Sequence, residues 1–237
     1  MLNRSKYLNP KKKKIKFMFN EISKFYDIMN FIMTLGVDKL WRKKIVKKLD
    51  NIKNGKILDI ATGTGELAIE IKKKCSNKIY GIDISEKMIE IANKKIRKLG
   101  FNNIKLYVGD SQKMPFQNNF FDAVTISFGV RNFENLNKCL LEIKRVLKKN
   151  GKLNILETSV PKSKFLKFIY KIYFKLIISI SFLISKKTYA YKYLYNSASF
   201  FPFGEAFKKI LINNGFKVIS NEKQLFGVAM IYSALKQ

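Results

Sequence analysis

The fold is decided by residues 56–66, which read KILDIATGTGE. The first six form an apolar run suited to a buried strand, and the glycines at 63 and 65 permit a tight turn into a helix. Asp83 comes twenty residues after Gly63 and closes a second apolar run, residues 78–83. A carboxylate at that spacing can accept hydrogen bonds from ribose hydroxyls. The segment therefore predicts a nucleotide-binding site at the start of an α/β sheet.

Strands and helices alternate from residue 56 onward. We predict strands at 56–61, 78–83, 104–108, 121–127 and 152–157, with helices at about 65–74, 86–98, 135–148 and 205–213. Such alternation is typical of parallel strands joined by right-handed crossovers. The last two apolar runs, 216–220 and 228–235, are suited to an antiparallel edge pair.

Two helical additions accompany this pattern within one domain, residues 17–237. Residues 17–50 predict a helical lead-in, and residues 163–198 an inserted helical cap. Residues 1–16 are expected to form a basic, flexible tail. No secretory signal is expected, and the most apolar run, 176–184, is only about half a membrane span long, which makes it a poor transmembrane candidate.

The composition excludes several kinds of chemistry. The chain contains no histidine, which excludes a Ser/His/Asp triad and every histidine-ligated metal site. Its two cysteines offer neither a metal cluster nor a disulfide framework, so we expect no bound metal and a reducing cytoplasm. The net charge of +30 comes from lysines spread over nearly every element, as a biased genome would produce. Attraction to anionic lipid is the alternative explanation.

Two nucleotides fit the glycine turn. Residues 63–68, GTGELA, match the dinucleotide pattern G-x-G-x-x-A, so NAD must be weighed against S-adenosylmethionine. Asp59 lies four residues before the first glycine, where it would repel a pyrophosphate but can help to hold the ammonium and water network of a methionine group. Asp110 and Ser111 follow the third strand and suit the amino edge of adenine. With 237 residues the chain also has little room for the second domain of a dehydrogenase, so S-adenosylmethionine is favoured.

Four longer motifs carry a resemblance to a known family. They are residues 19–30, 36–42, 58–65 and 127–133, which read FNEISKFYDIMN, GVDKLWR, LDIATGTG and SFGVRNF. The chain resembles class I S-adenosylmethionine-dependent methyltransferases, and most closely the quinone-biosynthesis C-methyltransferases that act on demethylmenaquinol or a polyprenyl benzoquinol. The resemblance covers about 17–236. It implies a Rossmann-like α/β fold, with a mostly parallel seven-stranded sheet, helices on both faces, N-terminal helices and the inserted cap.

The resemblance also implies a set of cofactor contacts. Thr64 could instead be a turn residue, Asp110 a cap and Ser127 a strand-end residue, and Ser111 replaces a more usual small apolar residue. The full set of predicted contacts is Asp59, Gly63, Thr64, Gly65, Asp83, Asp110, Ser111 and Ser127.

Arg131 and Tyr26 are the predicted catalytic residues. Methyl transfer to a ring carbon needs no metal, because a hydroquinone that loses a phenolic proton is itself a carbon nucleophile. The permanently charged Arg131 suits a developing oxyanion, although a salt bridge that holds its loop is the alternative. Tyr26 could hydrogen-bond the ring oxygen or belong to the core. The identity of the general base stays open.

The expected reaction is C-methylation of a polyprenylated quinol, most directly demethylmenaquinol to menaquinol, with the ring type left open. Another small-molecule or RNA methyltransferase is the alternative. Residues 165–176 combine apolar side chains with lysines and could dock on an anionic membrane, or form a buried helix with solvated lysines. We expect a protein at the inner face of the plasma membrane or in the cytoplasm, without a nucleic-acid partner and compatible with a homodimer.

Overall fold

A mixed sheet of seven strands runs through the protein, which the computed structural model describes over residues 11–237. The strands are β1 (Lys56–Ile60), β2 (Lys78–Asp83), β3 (Ile104–Val108), β4 (Phe121–Ser127), β5 (Leu147–Thr158), β6 (Phe216–Gln224) and β7 (Ala229–Lys236). Their order is β3-β2-β1-β4-β5-β7-β6. The first five strands pair in parallel, and β7 runs antiparallel to both β5 and β6. The predicted sheet is thereby confirmed.

The helices lie close to their predicted bounds. They are α1 (Lys12–Ile22), α2 (Tyr26–Thr34), α3 (Asp38–Lys47), α4 (Glu66–Lys74), α5 (Glu86–Lys98), α6 (Leu136–Val146), α7 (Lys164–Ser185), α8 (Thr188–Phe200) and α9 (Glu205–Asn213). The predicted end of α6 was two residues too late. Leu147 leaves the helix because it is fully buried and pairs with Phe121 at the start of β5.

Helices cover both faces of the sheet, which explains why β1 is almost continuously apolar. Leu58 and Ile60 point to one face, where they join a buried cluster with side chains of α6 and α9. Ile57 points to the other face, against α3 and α4. All three side chains are at most 1% exposed. The helix residues in these two clusters include Leu140, Ile143, Phe207 and Leu211 on the first face, and Ile45, Leu67 and Ile71 on the second.

The lead-in helices and the inserted helices form one cap. Ile22 of α1, Met29 of α2, Ile177 of α7 and Tyr191 of α8 share a third buried cluster. Tyr173 of α7 also donates a hydrogen bond to the backbone carbonyl of Ile32, with 2.6 Å between the two oxygens. The two segments that were predicted separately, 17–50 and 163–198, therefore pack on each other and close over the carboxyl ends of the strands.

Two predictions at the edges of this cap need revision. Helix α1 begins at Lys12, and Ile15 is only 6% exposed, so residues 12–16 belong to the cap and not to a tail. Residues 1–10 of the predicted tail lie outside the described residues. Helix α7 extends on both sides of the apolar run 176–184, and by length and composition alone it is long and apolar enough to cross a membrane.

Candidate active site

The turn between β1 and α4 is held by a carboxylate at the end of β2. The backbone N–H of Gly63 donates to Asp83 Oδ2 at 2.9 Å, and the N–H of Ser85 donates to the other oxygen at the same distance. Gly63 and Gly65 have φ values of +55° and +81°, in the left-handed region that favours glycine. A Cβ on Gly65 would lie 3.1 Å from that of Ala92, so glycine also lets α4 approach α5 closely.

Asp59 supports this turn from below. It is 1% exposed, and its two oxygens accept hydrogen bonds from Thr62 at 2.7 Å and Thr125 at 2.8 Å. Burial raises its pKa to about 6, against the opposing effect of the two hydroxyl groups. Asp59 does not line the cleft described below. Its hydrogen bonds give Asp59 a positioning role for the loop, and its role toward a methionine group stays a prediction.

A cleft opens over the turn, and we call it the main cleft. Its walls come from the ends of β1, β2 and β4, the segment 109–112 after β3, and helix α1. The predicted residues that line it are Tyr26, Gly63, Asp83, Asp110, Ser111 and Ser127.

The main cleft is acidic at its strand ends, as a cationic ligand requires. Burial raises the pKa of Asp83, although hydrogen bonds from Ser85 and Gly63 oppose that rise. Desolvation would also raise the pKa of Asp110, but the ammonium of Lys12 at 2.8 Å and the N–H of Gln112 bring it below its ordinary value. Asp110 thus serves both as a turn cap and as a wall of the cleft.

The hydroxyl group of Ser127 indicates whether a polar cofactor fits the main cleft. Its hydroxyl oxygen is buried and has no hydrogen-bond partner within residues 11–237, yet the residue lines the main cleft. A buried hydroxyl without a partner costs about 1–3 kcal/mol, which a polar ligand in the cleft would recover. Ser111 is less available, because its hydroxyl lies 3.2 Å from the sulfur of Cys139. The polar ends and apolar walls of the cleft fit S-adenosylmethionine.

Thr64 is not among the residues that line the main cleft. Its hydroxyl donates to Asp27 Oδ1 at 2.6 Å, and the ammonium of Lys95 lies 2.5 Å from the other oxygen of Asp27. The turn is therefore tied to α2, immediately beside Tyr26. Sequence reasoning missed Asp27 and Lys95, which are separated by 68 residues and show no local pattern that would join them.

A second cavity adjoins the main cleft and shares Tyr26 and Phe128 with it. We call it the aromatic cavity because of its walls, which come from α2, α3, α7 and α8. Burial raises the pKa of Tyr26 to about 12, despite the nearby positive charges of Arg131 and Arg42. Tyr26 is therefore protonated near neutral pH and acts as a hydrogen-bond donor. The other residues that line the aromatic cavity include Trp41, Arg131, Tyr170 and Phe174.

Arg131 lines the aromatic cavity and not the main cleft. The salt bridge that the sequence offered as the alternative role of Arg131 is present. Its Nη1 forms a buried ion pair with Glu157 and donates to the carbonyl of Phe128 at 2.9 Å. Nε donates to the hydroxyl of Ser197 at 3.3 Å. Although burial would lower the pKa of Arg131, Glu157 holds it above its ordinary value. Among the described residues, none accepts a hydrogen bond from Nη2.

The fold and the cleft define the class of this protein as a class I S-adenosylmethionine-dependent methyltransferase. The model of the ubiE/COQ5 methyltransferase family matches residues 7–236, and the chain belongs to that family. It is accordingly a C-methyltransferase of quinone biosynthesis, with S-adenosylmethionine as its cofactor.

Relatives and solved structures agree with this assignment. The chain is 42% identical to the demethylmenaquinone methyltransferase of Chlorobaculum tepidum, over 94% of this chain and 92% of that one. It is 37% identical to the ubiquinone/menaquinone biosynthesis C-methyltransferase UbiE of Geobacter sulfurreducens, over 97% and 91%. The fold is shared with a crystal structure of an S-adenosylmethionine-dependent methyltransferase from Thermotoga maritima, with a TM-score of 0.66, 21% identity, and coverage of 94% and 100%.

Proposed function

We propose that the protein methylates demethylmenaquinol to menaquinol and that the quinol ring occupies the aromatic cavity. The observation that carries this proposal is the position of Arg131, whose charged group reaches a cavity walled by aromatic rings beside the main cleft. Flat aromatic walls suit a two-ring quinol, which stacks against them and leaves its oxygens for polar groups. The name of the Chlorobaculum tepidum relative supports the same acceptor.

The proposed chemistry needs one stabilised anion. S-adenosylmethionine, when bound in the main cleft, supplies an electrophilic methyl group on sulfur. Arg131 Nη2 would stabilise the phenolate, which sends electron density to the neighbouring ring carbon. That carbon forms the bond to the methyl group as the carbon–sulfur bond breaks, the sulfur keeps the electron pair as a neutral thioether, and the ring then loses its hydrogen as a proton to water. Tyr26, protonated at neutral pH, would donate to the same oxygen or to the second one.

The substrate's tail lies in lipid, so we also propose that the protein works as a peripheral protein at the inner face of the plasma membrane. Helix α7 carries a stripe of exposed apolar side chains, including Phe165 at 70%, Phe168 at 62% and Leu183 at 79% exposure. Lysines at 164, 167, 171 and 175 flank the stripe and would meet anionic headgroups.

Flotation on vesicles tests the membrane proposal. Leu176 on α7 and Leu141 on α6 are both helical and both 57% exposed, which makes them a matched pair. Leu176→Glu should weaken retention on phosphatidylglycerol vesicles, whereas Leu141→Glu should not. Equal retention of both variants and the unchanged protein would refute docking through α7.

Mass spectrometry of quinones tests the proposed reaction. Cells that lack the protein should accumulate demethylmenaquinone, and expression of the unchanged chain should restore menaquinone. Expression of an Asp83→Ala variant serves as the control for cofactor dependence and should not restore it. Accumulation of a demethylated ubiquinone precursor would identify a benzoquinol acceptor instead, and an unchanged quinone pool would refute both.

A further inference from the structure

A third cavity lies next to the aromatic cavity and shares one wall residue with it, Tyr170. We call it the lysine chamber, after the three lysines at its rim. Tyr170 is 8% exposed and contributes to the walls of both spaces. The remaining apolar lining of the chamber comes from Val160, Pro161, Tyr195 and Phe203.

The wall that the two spaces share is aromatic and is held by packing. The ring centroids of Tyr170 and Phe174 are 4.7 Å apart, and those of Phe174 and Tyr195 are 5.2 Å apart. No hydrogen bond to the Tyr170 hydroxyl is found within residues 11–237, so ring packing against Phe174 and Tyr195 positions this shared wall residue.

The rim of the chamber is positively charged and its lining is apolar. Lys162, Lys167 and Lys171 are exposed and form no ion pair with any residue from 11 to 237. Their alkyl stems can extend the apolar lining while the ammonium groups stay in water. Lys167 and Lys171 belong to α7, the helix that carries the exposed apolar stripe. The chamber thus opens beside the surface that we assign to the membrane.

We infer that the lysine chamber receives the first isoprene units of the substrate's tail. The inference rests on the proposed function, since it needs a tailed ring in the aromatic cavity. Methyl transfer occurs perpendicular to the ring plane, whereas the tail leaves the ring within that plane. The tail must therefore leave sideways from the ring, and the chamber, which shares Tyr170 with the aromatic cavity, supplies an apolar lining beside the lipid-facing helix.

Turnover as a function of tail length tests the inference. For the unchanged enzyme, kcat/KM should rise on the order of tenfold with each of the first two isoprene units, because each buries several carbon groups. Ser199 lines the chamber but not the aromatic cavity. Ser199→Phe should fill the chamber and reduce that gain to less than about threefold per unit, while turnover of the tailless quinol stays unchanged.

The matched control is Ser179→Phe on the exposed side of α7. Both hydroxyls donate to the backbone carbonyl four residues earlier, Ser199 at 3.0 Å and Ser179 at 3.2 Å. The control should keep the full dependence on tail length. Turnover of the tailless quinol shows whether each variant is folded. If Ser199→Phe loses this turnover, a second variant, Phe203→Ala, removes part of the chamber wall. It should lower kcat/KM for the tailed substrates alone.

Two competing ligands test whether the chamber binds an apolar tail or an anion held by the lysines. Farnesol should inhibit turnover of tailed substrates and inorganic phosphate should not; inhibition by phosphate alone would overturn the inference. Equal loss for tailed and tailless substrates, or an undiminished gain per unit in the chamber variants, would also overturn it while leaving the proposed reaction intact. No methylation of either quinol by the unchanged enzyme would instead refute the proposed function.

Discussion

The main cleft and the aromatic cavity share Tyr26 and Phe128, but different kinds of chemical group line them. The main cleft takes carboxylates, a free hydroxyl and backbone N–H groups from the ends of neighbouring strands. The aromatic cavity takes rings from helices that are distant in sequence, and Arg131 from the segment after β4. Charge and hydrogen bonding select the cofactor, whereas apolar burial selects the acceptor.

The largest expected effect is on cofactor binding in the main cleft, when Asp83 is replaced. Asp83→Ala removes the hydrogen bond that holds Gly63 and the carboxylate expected to bind the ribose, so affinity for S-adenosylmethionine should fall by a factor on the order of 10³. Isothermal titration calorimetry measures this loss. Asp122→Ala is the control, because Asp122 also accepts a backbone N–H, from Lys56 at 2.8 Å, at the opposite end of the sheet. Equal losses in both variants would indicate general destabilisation.

Arg131→Lys tests the other region. Lysine keeps a positive charge for Glu157 but cannot also present Nη2 to the cavity, so kcat should fall on the order of 10²-fold to 10³-fold with cofactor affinity unchanged. Arg42→Lys is the matched control, since Arg42 is also buried and paired with a buried carboxylate, Asp38. It lines neither cavity and should keep most of its turnover. Near-normal kcat for Arg131→Lys would refute the oxyanion role.

The buried Asp59 predicts a pH dependence of stability. Because its folded-state pKa is raised from 3.8 to about 6, the folded protein binds more protons between these values, and the contribution of Asp59 to stability falls as the pH rises through that window. Asp59→Asn removes this titration. Its free energy of unfolding relative to the unchanged protein should therefore rise by about 2–3 kcal/mol from pH 4 to pH 7. Urea unfolding across this range measures the difference, and a difference that stays constant would contradict the raised pKa.

Tyr26 lies where the two regions meet, and the smallest effect is expected there. Tyr26→Phe keeps the ring and removes one neutral donor, so kcat should fall about tenfold while cofactor affinity changes little. Since its pKa is about 12, the rate profile of the unchanged enzyme should show no Tyr26 titration between pH 6 and pH 10. Tyr80→Phe, within the aromatic cluster around Phe116 and Phe121, is the control. A titration near pH 8 that disappears in Tyr26→Phe would show that Tyr26 ionises during turnover.

The cofactor half was more predictable than the cap because its signals are local. The glycine turn, the strand-end carboxylates and the helix periods each arise within a short window, and the predicted bounds of α4 and α5 differ from the structure by at most one residue. The ion pair of Arg131 with Glu157 joins residues 26 apart, and that of Lys12 with Asp110 joins residues 98 apart. Neither leaves a periodic trace in the sequence. The same reason explains why residues 12–16 were assigned to a tail.

The sequence by itself determined the α/β order, the cofactor turn and the family, because apolar period and turn chemistry act between near neighbours. Only the tertiary structure decided which side chains face which space. It gave Asp59 and Thr64 hydrogen bonds that support the loop, placed Arg131 at the aromatic cavity, and placed the lysine chamber beside that cavity with Tyr170 in the wall of both. These outcomes depend on packing between segments far apart in the chain, where burial and pairing of charges are settled together.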